Sequence, residues 1–166
     1  MNIAPRVQDY LAEQQIAYEV IPHPHTINST ATAQAAHVLG ARVAKAVVLK
    51  DGAGYVLAVL PSTHHLALSK LCRELHRHPL ELASESELKD LFADCDLGAV
   101  PPLGAAYGLP MIVEEALEAQ PEVFFEAGDH EHVIHVSQSE FARLTSGVPH
   151  AHFSRPDMTC GPLWMQ

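Results

Sequence analysis

Two apolar runs joined by a short turn constrain this chain most. Val43-Ala44-Lys45-Ala46-Val47-Val48-Leu49 and Tyr55-Val56-Leu57-Ala58-Val59-Leu60 flank Asp51-Gly52-Ala53-Gly54. Aliphatic and β-branched residues at this density, interrupted by Asp-Gly, predict an antiparallel hairpin. Its second run is apolar on both faces, which predicts a central place in a sheet. One charge, Lys45, stands inside the first run. Alternate residues of a strand share a face, so Lys45 points with Val43, Val47 and Leu49, and Ala44, Ala46 and Val48 take the other side. An ammonium buried without a partner costs several kcal/mol or more. Such a lysine either snorkels to an edge or occupies a pocket, and the pattern alone leaves both open.

Helical spacing of Ile3, Val7, Tyr10 and Leu11 predicts a first helix over roughly 4–15. Ala17 to Ile21 reads as a strand stopped by Pro22 and Pro24. Ser29 or Thr30 is expected to cap a short Ala-rich helix ended by Gly40. Leu68, Leu71, Cys72 and Leu75 mark a further helix, and Leu80 to Leu82 a short strand. Ser84 with Glu87 and Ser137 with Glu140 have capping-box spacing, each opening a helix. Between them lie a Gly- and Pro-rich loop, 93–108, and three strands, 110–113, 123–125 and 131–136. The tail from Gly147 carries Pro149, Pro156, Pro162, Cys160 and Trp164 without periodicity, and is expected to drape on the domain or move freely. Strands and helices without regular βαβ alternation imply one α/β domain with a mixed sheet.

Composition narrows the function. The 166 residues suit one domain able to bury a core. Ten basic against twenty acidic residues give a net charge of −10, and no Lys/Arg run occurs. A generic nucleic-acid binder carries a basic stripe, so DNA is not an expected partner. Three cysteines without a CxxC read as reduced thiols. No basic start is followed by an apolar core, and no run reaches membrane-spanning length. A cytoplasmic protein with no membrane partner is the expectation.

Two further features carry chemistry. Gly98-Ala99-Val100-Pro101-Pro102-Leu103-Gly104 is a stiff loop, because glycine opens unusual backbone angles and proline closes ordinary ones. Its amides point in preset directions and suit a carbonyl oxygen or oxyanion, although the same sequence also serves as a plain connector. Gly128-Asp129-His130 places an imidazole beside a carboxylate, a pairing that suits acid–base work and equally an ordinary polar turn. The twelve histidines show no HExxH and no zinc-type quartet, so no metal site is expected. No nucleophile elbow, P-loop or dinucleotide fingerprint occurs.

In order, the Ala-Lys-Ala-Val-Val-Leu strand, the G-x-x-x-P loop from Gly98 to Pro102 and the closing Val-Phe-Phe-Glu-Ala-Gly-Asp-His segment resemble the YbaK/ProX family. Its members are freestanding relatives of the editing domain inserted in bacterial prolyl-tRNA synthetases. The likeness runs from about residue 4 to 146, leaving 147–166 as a C-terminal extension. It implies a central mixed sheet, curved like a partly open barrel, with helices around it. It also implies hydrolysis, in trans, of the ester joining a wrong small amino acid to tRNA, proline tRNA among the candidates. Mischarged tRNA and, in some members, a synthetase would be partners, with no cofactor. By this resemblance Lys45 and His130 are the catalytic candidates, and Gly98, Ala99, Val100, Pro101, Pro102, Gly128 and Asp129 the substrate-binding ones. The alternative is a tRNA- or small-ligand-binding regulatory module that keeps the fold without catalysis.

Overall fold

The computed structural model describes residues 3–157. In chain order they form α1 (Pro5–Glu13), β1 (Glu19–Pro22), α2 (Ser29–Ala35), β2 (Val43–Asp51), β3 (Gly54–Pro61) and β4 (His64–Leu66). Then come α3 (Leu68–Leu75), β5 (Glu81–Leu82), α4 (Glu85–Leu91), β6 (Met111–Glu114) and β7 (Glu122–Glu126). β8 (His132–Ser137), α5 (Gln138–Leu144), β9 (His150–Ala151) and β10 (Ser154–Pro156) complete the set. No described helix is long and apolar enough to cross a membrane.

β2 and β3 pair antiparallel without interruption from Ala44↔Pro61 to Asp51↔Gly54, as the hairpin pattern predicts. Around them runs one mixed sheet in the order β1-β8-β7-β2-β3-β6-β9, with β5 on the far end of β2. The β2–β7, β3–β6 and β6–β9 pairs are parallel. β10 and β4 form a separate antiparallel ribbon. The described sheet stays open, with β1 and β9 as its ends.

Strand alternation sorts the core into layers. Ala44 and Val48 of β2, with Leu57 and Val59 of β3, face the main core, where Val7, Leu11, Phe92, Phe125 and Phe141 pack. The opposite face carries two smaller clusters. Val43 and Phe124 pack under α2 at one end. Leu49, Ala58 and Leu60 pack under α3 at the other, against Leu71 and Cys72. Lys45 lies between these clusters.

Local signals explain most ends. Ser84 and Glu87 form the full capping box of α4. The Ser137 box is half made: Ser137 accepts from the Glu140 amide, but the Glu140 carboxylate binds the Ala17 amide and Arg143 instead. Asn28, rather than Ser29 or Thr30, caps α2 by accepting from the Ala31 amide at 2.8 Å. Gly40 opens a short 3₁₀ turn, and α2 ends before it. The tail holds two strands. β9 extends the sheet beside β6 and β10 pairs with β4, because their edge amides and carbonyls gain ladder partners there. Residues 158–166, with Cys160 and Trp164, lie outside the described residues.

Arg77 closes the hairpin turn by donating to both Asp51 oxygens at 2.7 and 2.6 Å and to the Gly54 carbonyl. That guanidinium holds the Asp51 carboxyl at about 2. A depressed carboxyl stabilises the fold above its unfolded value near 4 and loses that contribution as pH falls to about 2. Asp51→Asn is therefore expected to lower the melting temperature by a few degrees at pH 7, with the gap to wild type closing between about pH 4 and pH 2. Thermal melts across that range check it.

Gly128, at φ +104°, is pressed against α1: a Cβ there would lie 2.6 Å from the Ala4 Cβ. Gly128→Ala is expected to cost about 2–4 kcal/mol, since it combines left-handed strain with overpacking. Urea denaturation measures this directly.

Candidate active site

Lys45 is half-buried, and its Nζ donates to the His64 carbonyl at 2.5 Å. Both ends of the sequence dilemma apply: the stem lies on the sheet while the head reaches the β4–β10 ribbon. Burial lowers its pKa below the ordinary lysine value, and the nearby Asp157 carboxylate partly opposes that shift.

The sheet brings two glutamates to the same face. Val43 pairs with Phe124, so one alternation further along each strand Lys45 and Glu126 point the same way. Lys45 lies opposite Leu60 on β3, and Val59 beside Val113 on β6, so Leu60 and Glu114 also share that face. Glu126 and Glu114 are both buried, at 6% and 0% exposure. Neither stands out as a site residue from any sequence motif. Their signal was a carboxylate closing each apolar run, Glu114 after Met111-Ile112-Val113 and Glu126 after Val123-Phe124-Phe125.

Glu126 binds His130 into the structure. Burial raises its pKa, against the opposing effects of the Thr32 hydroxyl bond and the nearby His130 and His23. Glu126 Oε2 lies 3.4 Å from His130 Nδ1. His130 Nε2 lies 2.7 Å from the Leu97 carbonyl, which can only accept, so Nε2 carries a hydrogen. Nδ1 and Oε2 face each other across that gap, and neither has a hydrogen-bond partner among the described residues. His130 is 7% exposed, and its nitrogens face protein rather than open space.

The ring braces the glycine loop. Gly98 has φ +84°, and a Cβ placed on it would sit 3.5 Å from His130 Cε1. Gly98 is exposed, Val100 half-buried, and Ala99, Pro101 and Pro102 buried. The Ala99 amide is spent on the Asp96 carbonyl. The Gly98 and Val100 amides have no partner among the described residues and, unlike the buried Leu103 and Gly104, sit where the loop is at least partly exposed. Asp129 is a turn-former: its carboxylate accepts from the Glu131 and His132 amides at 3.0 and 2.9 Å and faces His132 Nδ1. The Gly128 carbonyl accepts from the Asp96 amide at 2.7 Å, tying this turn to the glycine loop.

On the other side of Lys45, the C-terminal segment closes in. Glu114 accepts from the Ser154 hydroxyl at 2.6 Å, the Phe153 amide at 2.8 Å and His152 at 3.0 Å. Burial pushes its pKa up, but these donors outweigh it and hold the group below its ordinary value. His64 Nδ1 meets the same Ser154 oxygen at 2.8 Å. No motif flagged His64 or Ser154, because their partnership needs strands 90 residues apart in sequence.

Other groups offer less. Burial pushes the Cys95 thiol up to about 12, so it holds no thiolate at neutral pH. Cys72 is buried against α3's core. Among the described residues no three His, Cys, Asp or Glu side chains are grouped to hold a metal ion. A cleft of about 820 Å³ runs beside α3, past Cys72, Arg73, Arg77 and Leu80, and contains none of the sequence candidates.

No curated protein matches the chain. Solved structures do. One provisionally described as a trans-editing enzyme for prolyl tRNA synthetase superposes with a TM-score of 0.80 at 27% identity, covering 92% of this chain and 96% of that one. The hypothetical protein APE2540 gives 0.79 at 19% identity over 90% and 99%. A signal transduction protein, also provisionally described, from Marinobacter aquaeolei VT8 gives 0.73 at 19% identity, covering 92% of this chain and 31% of that one. The latter two show the fold alone. The aminoacyl-tRNA editing domain profile matches residues 23–144, which spans Lys45, the Gly98 loop and His130. The chain belongs to the aminoacyl-tRNA editing domain family.

Proposed function

We propose that this protein is a deacylase that hydrolyses, in trans, the ester of a small amino acid wrongly attached to tRNA, proline tRNA being the first candidate. The observation that carries this reading is the half-buried Lys45 ammonium, on the same sheet face as the Glu126 carboxylate that anchors His130 and, through it, the loop of Gly98. An aminoacyl ester is already activated. Positioning and stabilisation of the developing oxyanion therefore supply most of the rate, and no protein nucleophile is needed.

Lys45 would meet the negative charge that develops on the ester carbonyl, or the terminal phosphate and ribose that carry it. The Gly98 and Val100 amides would orient the carbonyl. Gly128 and Asp129 would support the site by shaping the turn, and His130 would act as a positioning residue that fixes the loop through the Leu97 carbonyl. A net charge of −10 leaves little general attraction for RNA. Delivery by a synthetase would supply the affinity that the surface lacks. Free operation in the cytoplasm suits such a substrate.

The test is a panel of mischarged tRNAs, with alanine, serine and cysteine on proline tRNA among them. Lys45→Ala is expected to lower kcat by about 10²–10³-fold, the usual loss when one oxyanion-stabilising donor is removed. If the wild-type protein clears no ester faster than Lys45→Ala, the deacylase reading fails and the binding-module alternative takes its place. Gly98→Ala should strain the loop by about 1–2 kcal/mol and reduce kcat about tenfold while the fold persists, since the added methyl meets His130 only at van der Waals distance. Single-turnover deacylation alongside circular dichroism separates these effects.

A further inference from the structure

A hydroxyl has one hydrogen, and at Ser154 that hydrogen is committed. Its Oγ is buried, 2.6 Å from Glu114 Oε2 and 2.8 Å from His64 Nδ1. The ionised Glu114 carboxylate can only accept, so Ser154 donates to it. Ser154 then offers His64 only lone pairs, and His64 Nδ1 must carry a hydrogen and donate. In the neutral imidazole this leaves Nε2 with a free lone pair. Nε2 has no hydrogen-bond partner among the described residues and is not one of their buried unpaired atoms, so among them nothing occupies its lone pair.

The same residue holds the active-site lysine. Lys45 Nζ, from β2, binds the His64 carbonyl, so the ammonium is held at the β4 residue that carries the imidazole. The groups facing the ring are Glu114 on β6, Asp157 and His152 of the C-terminal segment, and Lys45 on β2. Burial, helped by His152 and Lys45, lowers the imidazole pKa despite the two carboxylates, which keeps it neutral at pH 7.

We propose that His64, oriented by the Glu114–Ser154 relay, is the general base of the ester hydrolysis, an assignment that rests on the deacylase reading above. Nε2 takes a proton from water as the water oxygen bonds to the ester carbonyl carbon. Lys45 stabilises the oxyanion so formed. Collapse breaks the bond to the ribose oxygen, and the imidazolium returns its proton to that oxygen. Amino acid and tRNA hydroxyl leave with all atoms and protons accounted for. β10 thereby belongs to the site, because its Ser154 sets the tautomer.

The test uses the full chain and alanine-charged proline tRNA, together with the rest of the panel. His64→Asn keeps the backbone carbonyl for Lys45 and an amide donor for Ser154. It is expected to lower kcat about 10²-fold or more, leave KM within about twofold and abolish the acid limb of the pH profile. Ser154→Ala should retain that limb but shift it, with a kcat loss of about tenfold. Nitrogen-resolved NMR of the wild-type imidazoles should find His64 as the Nδ1–H tautomer, titrating below the ordinary histidine value. An active wild type matched by an equally active His64→Asn with the same acid limb overturns the role of His64 alone. An Nε2–H tautomer overturns it whatever the activity. A wild type no faster than Lys45→Ala on the whole panel overturns the deacylase reading and this assignment together.

Discussion

The unbroken ladder between β2 and β3 is the constraint on which the rest depends. Its register sets which side chains share each face, and a slip of one residue would exchange them all. One face is committed to the main core by Ala44, Val48, Leu57 and Val59. Lys45, in phase with Val43 and Leu49, lies on the other face. That face is covered at both ends, by α2 over Val43 and Phe124 and by α3 over Leu49 and Leu60. Lys45 occupies the strip between, where a stem can be buried while its head still finds a carbonyl.

Two buried carboxylates organise that strip in opposite ways. Glu126 is short of donors, faces His130 at 3.4 Å and has a raised pKa. Glu114 is surrounded by donors from the C-terminal segment and remains ionised. The first holds the ring that supports Gly98. The second holds the hydroxyl that orients His64. Burial is common to both, and the number of hydrogen bonds decides the charge state of each.

The Gly-Asp-His turn illustrates how a motif can be legible while its task is not. His130 was conspicuous as a titratable group beside Asp129. In the fold Asp129 spends its oxygens on the turn and on His132, and His130 turns inward to Glu126 and Leu97. Sequence adjacency brought the two residues within reach of each other, but strand geometry sent their side chains to different partners. The same holds for the tail. It lacks periodicity because β9 and β10 are only two and three residues long, too short to show one, yet they reach the candidate site.

By itself the sequence determined the hairpin, the faces of β2, the α4 capping box and the ordered combination of lysine strand, glycine loop and closing turn. The first three rest on spacing within a dozen residues, and the last on three motifs read in order along the chain. The tertiary structure alone decided that Glu114, Glu126, His64 and Ser154 converge on the face of Lys45, that His130 braces the Gly98 loop, and that Phe153 and Ser154 reach Glu114. Where the chain turns in toward the site, through Phe153 and Ser154, the outcome depends on which strands become neighbours and on which hydrogen-bond donors reach a buried carboxylate. Long-range pairing sets both, and a linear pattern does not encode it.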